Sequence, residues 1–339
     1  MKTKFYFLPI LLLGGLSLFT ACSDDDDEKG GGQPSAPVIG PSGTNSGARL
    51  TSISDDDGYV TYFHYNEDGT IKRIFDVGSN GKESDWISMT YNPFRMETED
   101  FGFPKNVSFN DDGYLTRLAY EWSEGNEEDG YSATGKDDMK LTYNSNGNLT
   151  KITFTGSYSG KEDGDSYSGK YTASITYSWI EGNLAKIQST YNDFEDGESF
   201  RHTETYEFEY SDEVNKFQQY IIGVDDATGF SEDFAPIGWL GKWSKNYPSS
   251  CTVLDVEEGS EGKYEDTYTR SWSNFSTTSD GLLSGFNYNG KRYTYTYDNT
   301  APTAKKVAAK QTLNNNASSP RTKKMGRHHL RHARMLNRK

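Results

Sequence analysis

The stretch that decides the fold spans residues 143–152 and reads Tyr-Asn-Ser-Asn-Gly-Asn-Leu-Thr-Lys-Ile. Close versions begin at Tyr65 and Phe109, and looser ones begin at Ile180 and Ser279. The close versions join an aromatic residue to a polar turn with glycine, followed by aliphatic residues two and five positions later. Asn and Gly tolerate the positive φ of tight hairpin turns. Each version therefore predicts a turn between two antiparallel strands.

The segments around these turns alternate between apolar and polar residues, as half-buried strands do. In one of them, ring-bearing and aliphatic side chains occupy every second position, namely Tyr171, Ala173, Ile175 and Tyr177. The same alternation occurs at residues 139–143, 206–210 and 293–297. It indicates antiparallel sheet with one covered, aromatic face and one face in water.

The turn glycines at 113, 147 and 182 follow one another at intervals of 34 and 35 residues, which suggests hairpins added side by side. A row of hairpins hides its apolar face by curling, and strands of ordinary length give roughly 12–16 strands. We predict an all-β fold for residues 47–300: an antiparallel meander curled into a roll or barrel. The hydrophilic stretches 124–135 and 156–169 are predicted to be long loops.

One segment, residues 234–243, departs from the alternation and contains Trp239 and Trp243. It predicts a short helix or loop, begun at Asp233 as N-cap with Pro236 in the first turn, that caps one end of the roll. Two interpretations of the tryptophans stay open. They fill a buried cap, or they line a ligand site.

The two ends of the chain predict an anchor and a tail. Residues 1–21 read as an export signal, and small residues directly before Cys22 resemble a bacterial lipobox, in which the cysteine thiol takes a diacylglycerol. Residues 22–46, acidic and then Gly/Ser/Pro-rich, predict a solvated tether. Residues 301–339 carry 11 Lys or Arg and no acid, which predicts a disordered basic tail.

Charge and composition exclude several classes. All 50 acids lie between residues 23 and 300 beside 22 basic residues, so this body carries 22 - 50 = -28. Such a charge disfavours nucleic acid as a partner. No window beyond the first ~20 residues is apolar enough for a membrane-spanning helix. The face opposite the rings is Thr, Ser, Glu and Lys rather than an apolar belt, which predicts a soluble roll tethered by lipid.

The repeated phrases resemble the tyrosine–aspartate repeats of bacterial surface and toxin shells. Together with the lipobox, the acidic start and the stretch at 239–248, they are also similar to a family of Bacteroidetes lipoproteins of unknown function described as having a porin-like β fold. The resemblance covers about 47–300 and implies that fold, but it carries no catalytic residues. The acidic run behind Cys22 also resembles the surface-export signal of such lipoproteins and implies an outer-membrane lipoprotein displayed on the cell surface. The alternative is a spacer that faces the periplasm.

No motif of the body carries recognisable chemistry. His64 and His202 lie in predicted strands without metal-type spacing, and Cys251 is predicted to be a buried, inert thiol. We therefore predict no catalytic residues, no metal and no cofactor. The expected function is non-enzymatic binding or scaffolding, with membrane lipid as a partner through the anchor and a carbohydrate or surface protein as ligand. The alternatives are a polysaccharide-degrading hydrolase, which needs two converging acids, and a purely structural envelope protein.

Overall fold

The structure is a computed structural model. It describes residues 48–298 except 68, 92–93, 99–103, 105, 127–130, 163–164, 196–197, 229–230 and 260–261. The predicted signal peptide, tether and basic tail, and with them Cys22, lie outside the described residues.

The described residues form sixteen strands and one short helix. They are β1 (Arg49–Asp55), β2 (Val60–Tyr65), β3 (Ile71–Val77), β4 (Glu83–Thr90), β5 (Arg95–Thr98), β6 (Asn106–Phe109), β7 (Leu115–Asn126), β8 (Tyr131–Tyr143), β9 (Leu149–Glu162), β10 (Asp165–Ile180), β11 (Asn183–Glu195), β12 (Glu198–Val214), α1 (Ser231–Phe234), β13 (Asn246–Gly259), β14 (Gly262–Thr277), β15 (Leu283–Tyr288) and β16 (Lys291–Asp298).

All sixteen strands belong to one antiparallel sheet, in which β1 pairs with β16 and every other pair is consecutive in the chain. This confirms the predicted all-β meander of hairpins. The sheet is not closed by hydrogen bonds, because its edge strands β5 and β6 share no ladder among the described residues. Their ends still meet, since the Phe94 and Phe109 rings pack edge to face at 5.5 Å. Within the described part, no helix is long and apolar enough to cross a membrane.

The repeated turn has one geometry. In the version at 143–152, the Asn144 amide donates to the Asn148 carbonyl, and the Gly147 amide donates to the Asn144 carbonyl. Gly147 has a φ of 82°, which a residue with a side chain rarely adopts. The turns that begin at Asn66, Asn110 and Thr278 repeat the same pair of hydrogen bonds. The hairpin prediction for these phrases is therefore correct.

Two local predictions are wrong. The stretches 124–135 and 156–169 are not loops, because their described residues lie in β7, β8, β9 and β10. Their Gly, Ser and acidic residues are typical of loops, but here they pair with neighbouring strands. The helix α1 ends at Phe234 instead of starting after Asp233, and Pro236 follows it. A residue before proline avoids helical φ and ψ, so Ala235 cannot continue the helix.

The residues between β12 and β13, numbers 215–245, form the cap segment. It contacts the sheet end that holds the repeated turns, here called the cap end. The Trp239 carbonyl accepts from the Leu115 amide at 2.8 Å. Asn148 Nδ2 donates to the Lys242 carbonyl at 2.9 Å, and Trp272 Nε1 donates to the Ile222 carbonyl at 2.9 Å. The cap segment is thus hydrogen-bonded to β7, to the turn between β8 and β9, and to β14.

The core lies between the cap segment and one face of the sheet, here called the inner face. Its sheet side is aliphatic and aromatic, and includes Met139, Ile152, Ile175, Ile187, Tyr206 and Phe286. Successive strand residues point to opposite faces, so the polar residues between these positions face outward. The predicted segregation into a ring-bearing inner face and a polar outer face is present, for example in β10.

Eight strands extend past the others at the end opposite the cap. β6 pairs with β7 only as far as Ala119, and β15 pairs with β14 only from Trp272 onward. Beyond those residues, β7 to β14 form an eight-stranded part that we call the projecting sheet. Along its β14 edge, residues 262–269 are exposed on both faces. The inner face of the projecting sheet is therefore open to solvent on that side.

Candidate functional site

The two tryptophans singled out by the sequence lie in the cap. Trp239 is 1% exposed and packs against the Phe94, Phe109 and Phe234 rings. Trp243 is 3% exposed and meets the Tyr220 ring edge to face at 4.8 Å. Neither ring offers a face to solvent, so a ligand would reach them only if the cap segment moved. The arrangement matches the buried-cap interpretation of the pair.

The projecting sheet instead presents aromatic rings on its inner face, each lying over a glycine of the neighbouring strand. A Cβ atom built on any of these glycines would come within 2.5 Å of a ring atom, and at Gly160 it would also meet the Ser132 carbonyl oxygen at 2.4 Å. Because only glycine leaves room for it, the ring lies flat against the backbone. The directly opposed pairs are Trp122 with Gly135, Tyr171 with Gly156, Tyr167 with Gly160, and Tyr158 with Gly169.

Four of the inner-face rings form a continuous set across β9, β10 and β11, here called the tyrosine ladder: Tyr167, Tyr158, Tyr171 and Tyr191. Their ring centroids are 6.2, 6.4 and 5.7 Å apart in that order. Asp193 accepts hydrogen bonds from the Tyr158 and Tyr191 hydroxyls, both at 3.3 Å to Oδ2. Tyr171 is buried while the other three are partly exposed. The ladder thus offers ring faces beside a carboxylate.

Asp137 lies in the same cross-strand row, separated from Asp193 by Gly156 and Tyr171. It is 9% exposed, and its Oδ1 has no hydrogen-bond partner among the described residues. Burial raises the pKa of its carboxyl to about 6, although hydrogen bonds from Tyr120 and Trp122 act in the opposite direction. The projecting sheet therefore holds a carboxyl that can exchange its proton close to neutral pH.

A second polar group on the inner face is the cluster His202, Glu204 and Asp255, here called the His202 cluster. His202 Nε2 and Asp255 Oδ1 are 2.7 Å apart, and one ligand atom from each of the three residues lies within 4.8 Å of the others. His202 is buried, and the two acids are half-buried. Burial raises the pKa of the Glu204 carboxyl; His202 opposes this shift and Asp255 adds to it.

The His202 cluster lies directly above the core. Towards the cap end, the next inward residue after Glu204 is Tyr206 and the next after Asp255 is Val253. They are 1% and 0% exposed. Beside them, Arg270 donates to Asp226 Oδ2 at 2.6 Å and lies 5.2 Å from the Tyr206 ring centroid. The cluster therefore sits at the boundary between the closed core and the open projecting sheet.

Comparison with solved structures finds several similar chains. A solved structure described as a porin-like protein from Bacteroides uniformis is similar to this chain at a TM-score of 0.44 and 15% sequence identity. The match covers 74% of this chain and 98% of that one. No family model matches the chain, and no curated protein matches it. At this TM-score and identity the likeness says nothing about function.

Sequence reasoning missed both inner-face groups. The ladder was hidden because its glycines and hydroxyls made the stretch look like a loop. His202 and Glu204 are two positions apart in a predicted strand, which places them on one face, but Asp255 is more than fifty residues away. The available signal was the run of acids and a histidine at inner-face positions. Cys251 behaves as predicted: it is fully buried, and burial raises the pKa of its thiol to about 12.

Proposed function

We propose that this chain is a lipid-anchored, non-enzymatic binding module that takes a carbohydrate against the tyrosine ladder of the projecting sheet. The observation that carries the proposal is the ladder itself. Flat aromatic faces stack on the apolar faces of sugar rings, and a carboxylate beside them accepts hydrogen bonds from sugar hydroxyls. Asp193 and the hydroxyls of Tyr158 and Tyr191 supply such polar partners next to the rings.

The open side of the projecting sheet supports this assignment, because a chain-like ligand needs a route to the rings. Tyr264 and Tyr268 on β14 are 61% and 37% exposed. Both side chains point to the inner face, because directly paired residues share a face and their partners Glu257 and Val253 lie on the inner face. They would extend an aromatic surface towards solvent. In contrast, the cap tryptophans have no comparable access.

The lipid anchor and the location at the cell surface are part of the same proposal. Lipid on Cys22 and export to the cell surface would hold the module at the outer membrane, where its ligand is a polysaccharide or a surface glycan. Feeding cells an alkyne analogue of palmitate should label the wild-type chain and leave Cys22→Ala unlabelled. Protease added to intact cells should degrade the chain if it is displayed outward. Protection from the protease would favour the periplasmic alternative.

Binding is tested on a panel of neutral and acidic polysaccharides with purified chain lacking the lipid. Tyr158→Ala should abolish binding that the wild type shows, and Tyr158→Phe should retain the ring and part of the affinity. Phe194→Ala is the matched control, because Phe194 is an exposed ring on β11 next to Asp193 but on the opposite face. No binding to any polysaccharide at millimolar concentration would contradict the proposal and favour a structural envelope role.

A hydrolase is the second candidate, and one observation favours it. Glu204 and Asp255 are directly opposed on adjacent strands, and burial raises the pKa of Glu204. Directly opposed residues have Cβ atoms about 5 Å apart, close to the carboxyl separation of retaining glycosidases. Asp137 and Asp193 are three strand intervals apart, about 14 Å between backbones, so they are not a directly opposed pair.

The two candidates separate by product. A hydrolase would release reducing ends from the polysaccharide panel, and Glu204→Gln would stop the release while Tyr158→Phe would spare it. A binding module releases none while retaining affinity. Release of reducing ends by wild type would replace the binding proposal with the second candidate.

A further inference from the structure

The His202 cluster brings three metal-ligating groups together from two strands. His202 and Glu204 lie two residues apart on β12, so both side chains point to the inner face. Asp255 lies directly opposite Glu204 on β13. The three ligand atoms are all within 4.8 Å of one another, and His202 is 8% exposed. Strands hold these positions more firmly than a loop would.

Among the described residues, the acids of the cluster form no ion pair with a lysine or arginine, although Arg270 lies near enough to lower the pKa of Glu204. Like charges at directly opposed sheet positions repel, and partial burial strengthens that repulsion. The nearby guanidinium of Arg270 is held by Asp226 at 2.6 Å and by the Tyr206 and Tyr268 rings. Its charge is thus largely matched by Asp226. A bound cation between Glu204 and Asp255 would relieve the repulsion.

The donor set selects the kind of cation. Ca²⁺ and Mg²⁺ take oxygen ligands, whereas an imidazole nitrogen with two carboxylates suits Zn²⁺ and neighbouring transition metals. We propose that His202, Glu204 and Asp255 bind a divalent transition-metal cation, with Zn²⁺ as the representative ion. Three protein ligands leave one position of a tetrahedral Zn²⁺ open. The site goes beyond the proposed carbohydrate function and does not depend on it.

Binding would rearrange one existing contact. His202 Nε2 and Asp255 Oδ1 are 2.7 Å apart, so the cation has to enter between them. Zn²⁺ takes neutral imidazole nitrogen and ionised carboxylates at about 2.0–2.2 Å. The imidazole then ligates through Nε2 instead of bonding Asp255 directly. Metal binding and the His–Asp hydrogen bond are therefore alternatives at this position.

The test uses the full exported chain with Cys22→Ala and without an affinity tag. His328, His329 and His332 of the tail are replaced by Gln in every sample, because they would bind Zn²⁺ by themselves. Calorimetric titration with Zn²⁺ in excess Mg²⁺ should give one site per chain. His202→Gln should weaken that site at least about tenfold. His64→Gln is the matched control, since His64 is an exposed histidine on β2 outside the cluster.

The melting temperature gives a second readout, because Glu204→Gln should affect it differently with and without Zn²⁺. Glu204→Gln removes one of two opposed carboxylates, so the metal-free variant should unfold at the same or a higher temperature than its parent. It should also lose the rise in melting temperature that Zn²⁺ gives the parent. A merely structural His–Asp pair would give the parent no rise in melting temperature with Zn²⁺, so that rise is the effect that decides between the two. If His202→Gln fails to fold, Glu204→Gln and Asp255→Asn decide the question.

The proposal is overturned if the parent shows no Zn²⁺ site up to about 1 mM, the edge of specific binding. It is also overturned if His202→Gln and Glu204→Gln both bind Zn²⁺ as the parent does. Because Zn²⁺ alone is the probe, these results leave the carbohydrate proposal untouched.

Discussion

The cap-end half and the projecting half of the long strands share one inner face but differ in what covers it. At the cap end, Met139, Ile152 and Ile175 are at most 1% exposed beneath the cap segment. A few residues along the same strands, the inward positions hold Gly135, Tyr158 and Tyr171 instead. Alternation sets which side chains point inward, and the cap segment buries the inward positions of the cap-end half. The projecting half keeps the alternation, but its exposure is mixed: Tyr158 is half-buried, while Tyr171 is 5% exposed among its neighbouring rings.

The largest expected effect comes from the cap. Trp239→Ala should cost about 3–5 kcal/mol of unfolding free energy, because it empties a packed site between Phe94, Phe109 and Phe234. Trp122→Ala in the projecting half should cost less, about 1–2 kcal/mol, because Trp122 is only half-buried. Urea denaturation measures both. Equal costs would mean that the projecting half is packed like the core.

A middle-sized effect concerns the ring-over-glycine pairs. A Cβ on Gly156 would lie 2.1 Å from Tyr171 Cζ, so Gly156→Ala should displace the ring and cost about 1–3 kcal/mol. Gly259→Ala is the control, because its Cβ would meet Phe200 at an ordinary 3.5 Å. That variant should change stability by less than about 0.5 kcal/mol. Denaturation of the two variants side by side gives the comparison, and a neutral Gly156→Ala would contradict the flat-ring geometry.

The smallest effect is a pH dependence at Asp137. Its pKa is raised from 3.8 to about 6, so ionised Asp137 destabilises the fold above that pH. As pH falls through about 6 towards about 4, the native carboxyl is protonated first and the cost disappears. Asp137→Asn should therefore be more stable than wild type by about 1–3 kcal/mol near pH 7.5 and equal to it near pH 4.

Denaturation curves of wild type and Asp137→Asn at both pH values measure this difference. Asp212→Asn, at an exposed position of β12, controls for the general loss of one negative charge. If the advantage of Asp137→Asn were the same at the two pH values, burial of an ionised Asp137 would not be its cause.

The turn phrases made the sheet predictable. Each holds a glycine at a position that needs positive φ, such as Gly69, Gly113 and Gly147, and apolar residues at fixed distances after it. Local chemistry is enough to place such turns, because their hydrogen bonds join residues four positions apart or closer. The cap was also predictable as an interruption, although the helix boundary was misplaced at Asp233.

The candidate sites were not predictable, because they depend on pairing between distant residues. Gly156 looks like a loop residue until Tyr171 lies over it, and Glu204 looks like a solvated acid until Asp255 faces it. The polar composition around these residues favoured a prediction of solvent-exposed long loops. Cross-strand pairing instead gave the glycines ring partners and put the acids beside the core.

The sequence by itself determined the hairpins, their turns and the division of each strand into inward and outward side chains. These features come from backbone conformation and from a two-residue period, both of which are local. The tertiary structure decided which inward positions became core and which became the partly exposed inner face of the projecting sheet, because burial depends on what packs across from a residue. It also decided that His202, Glu204 and Asp255 meet, since sheet register alone sets the neighbours of a strand residue.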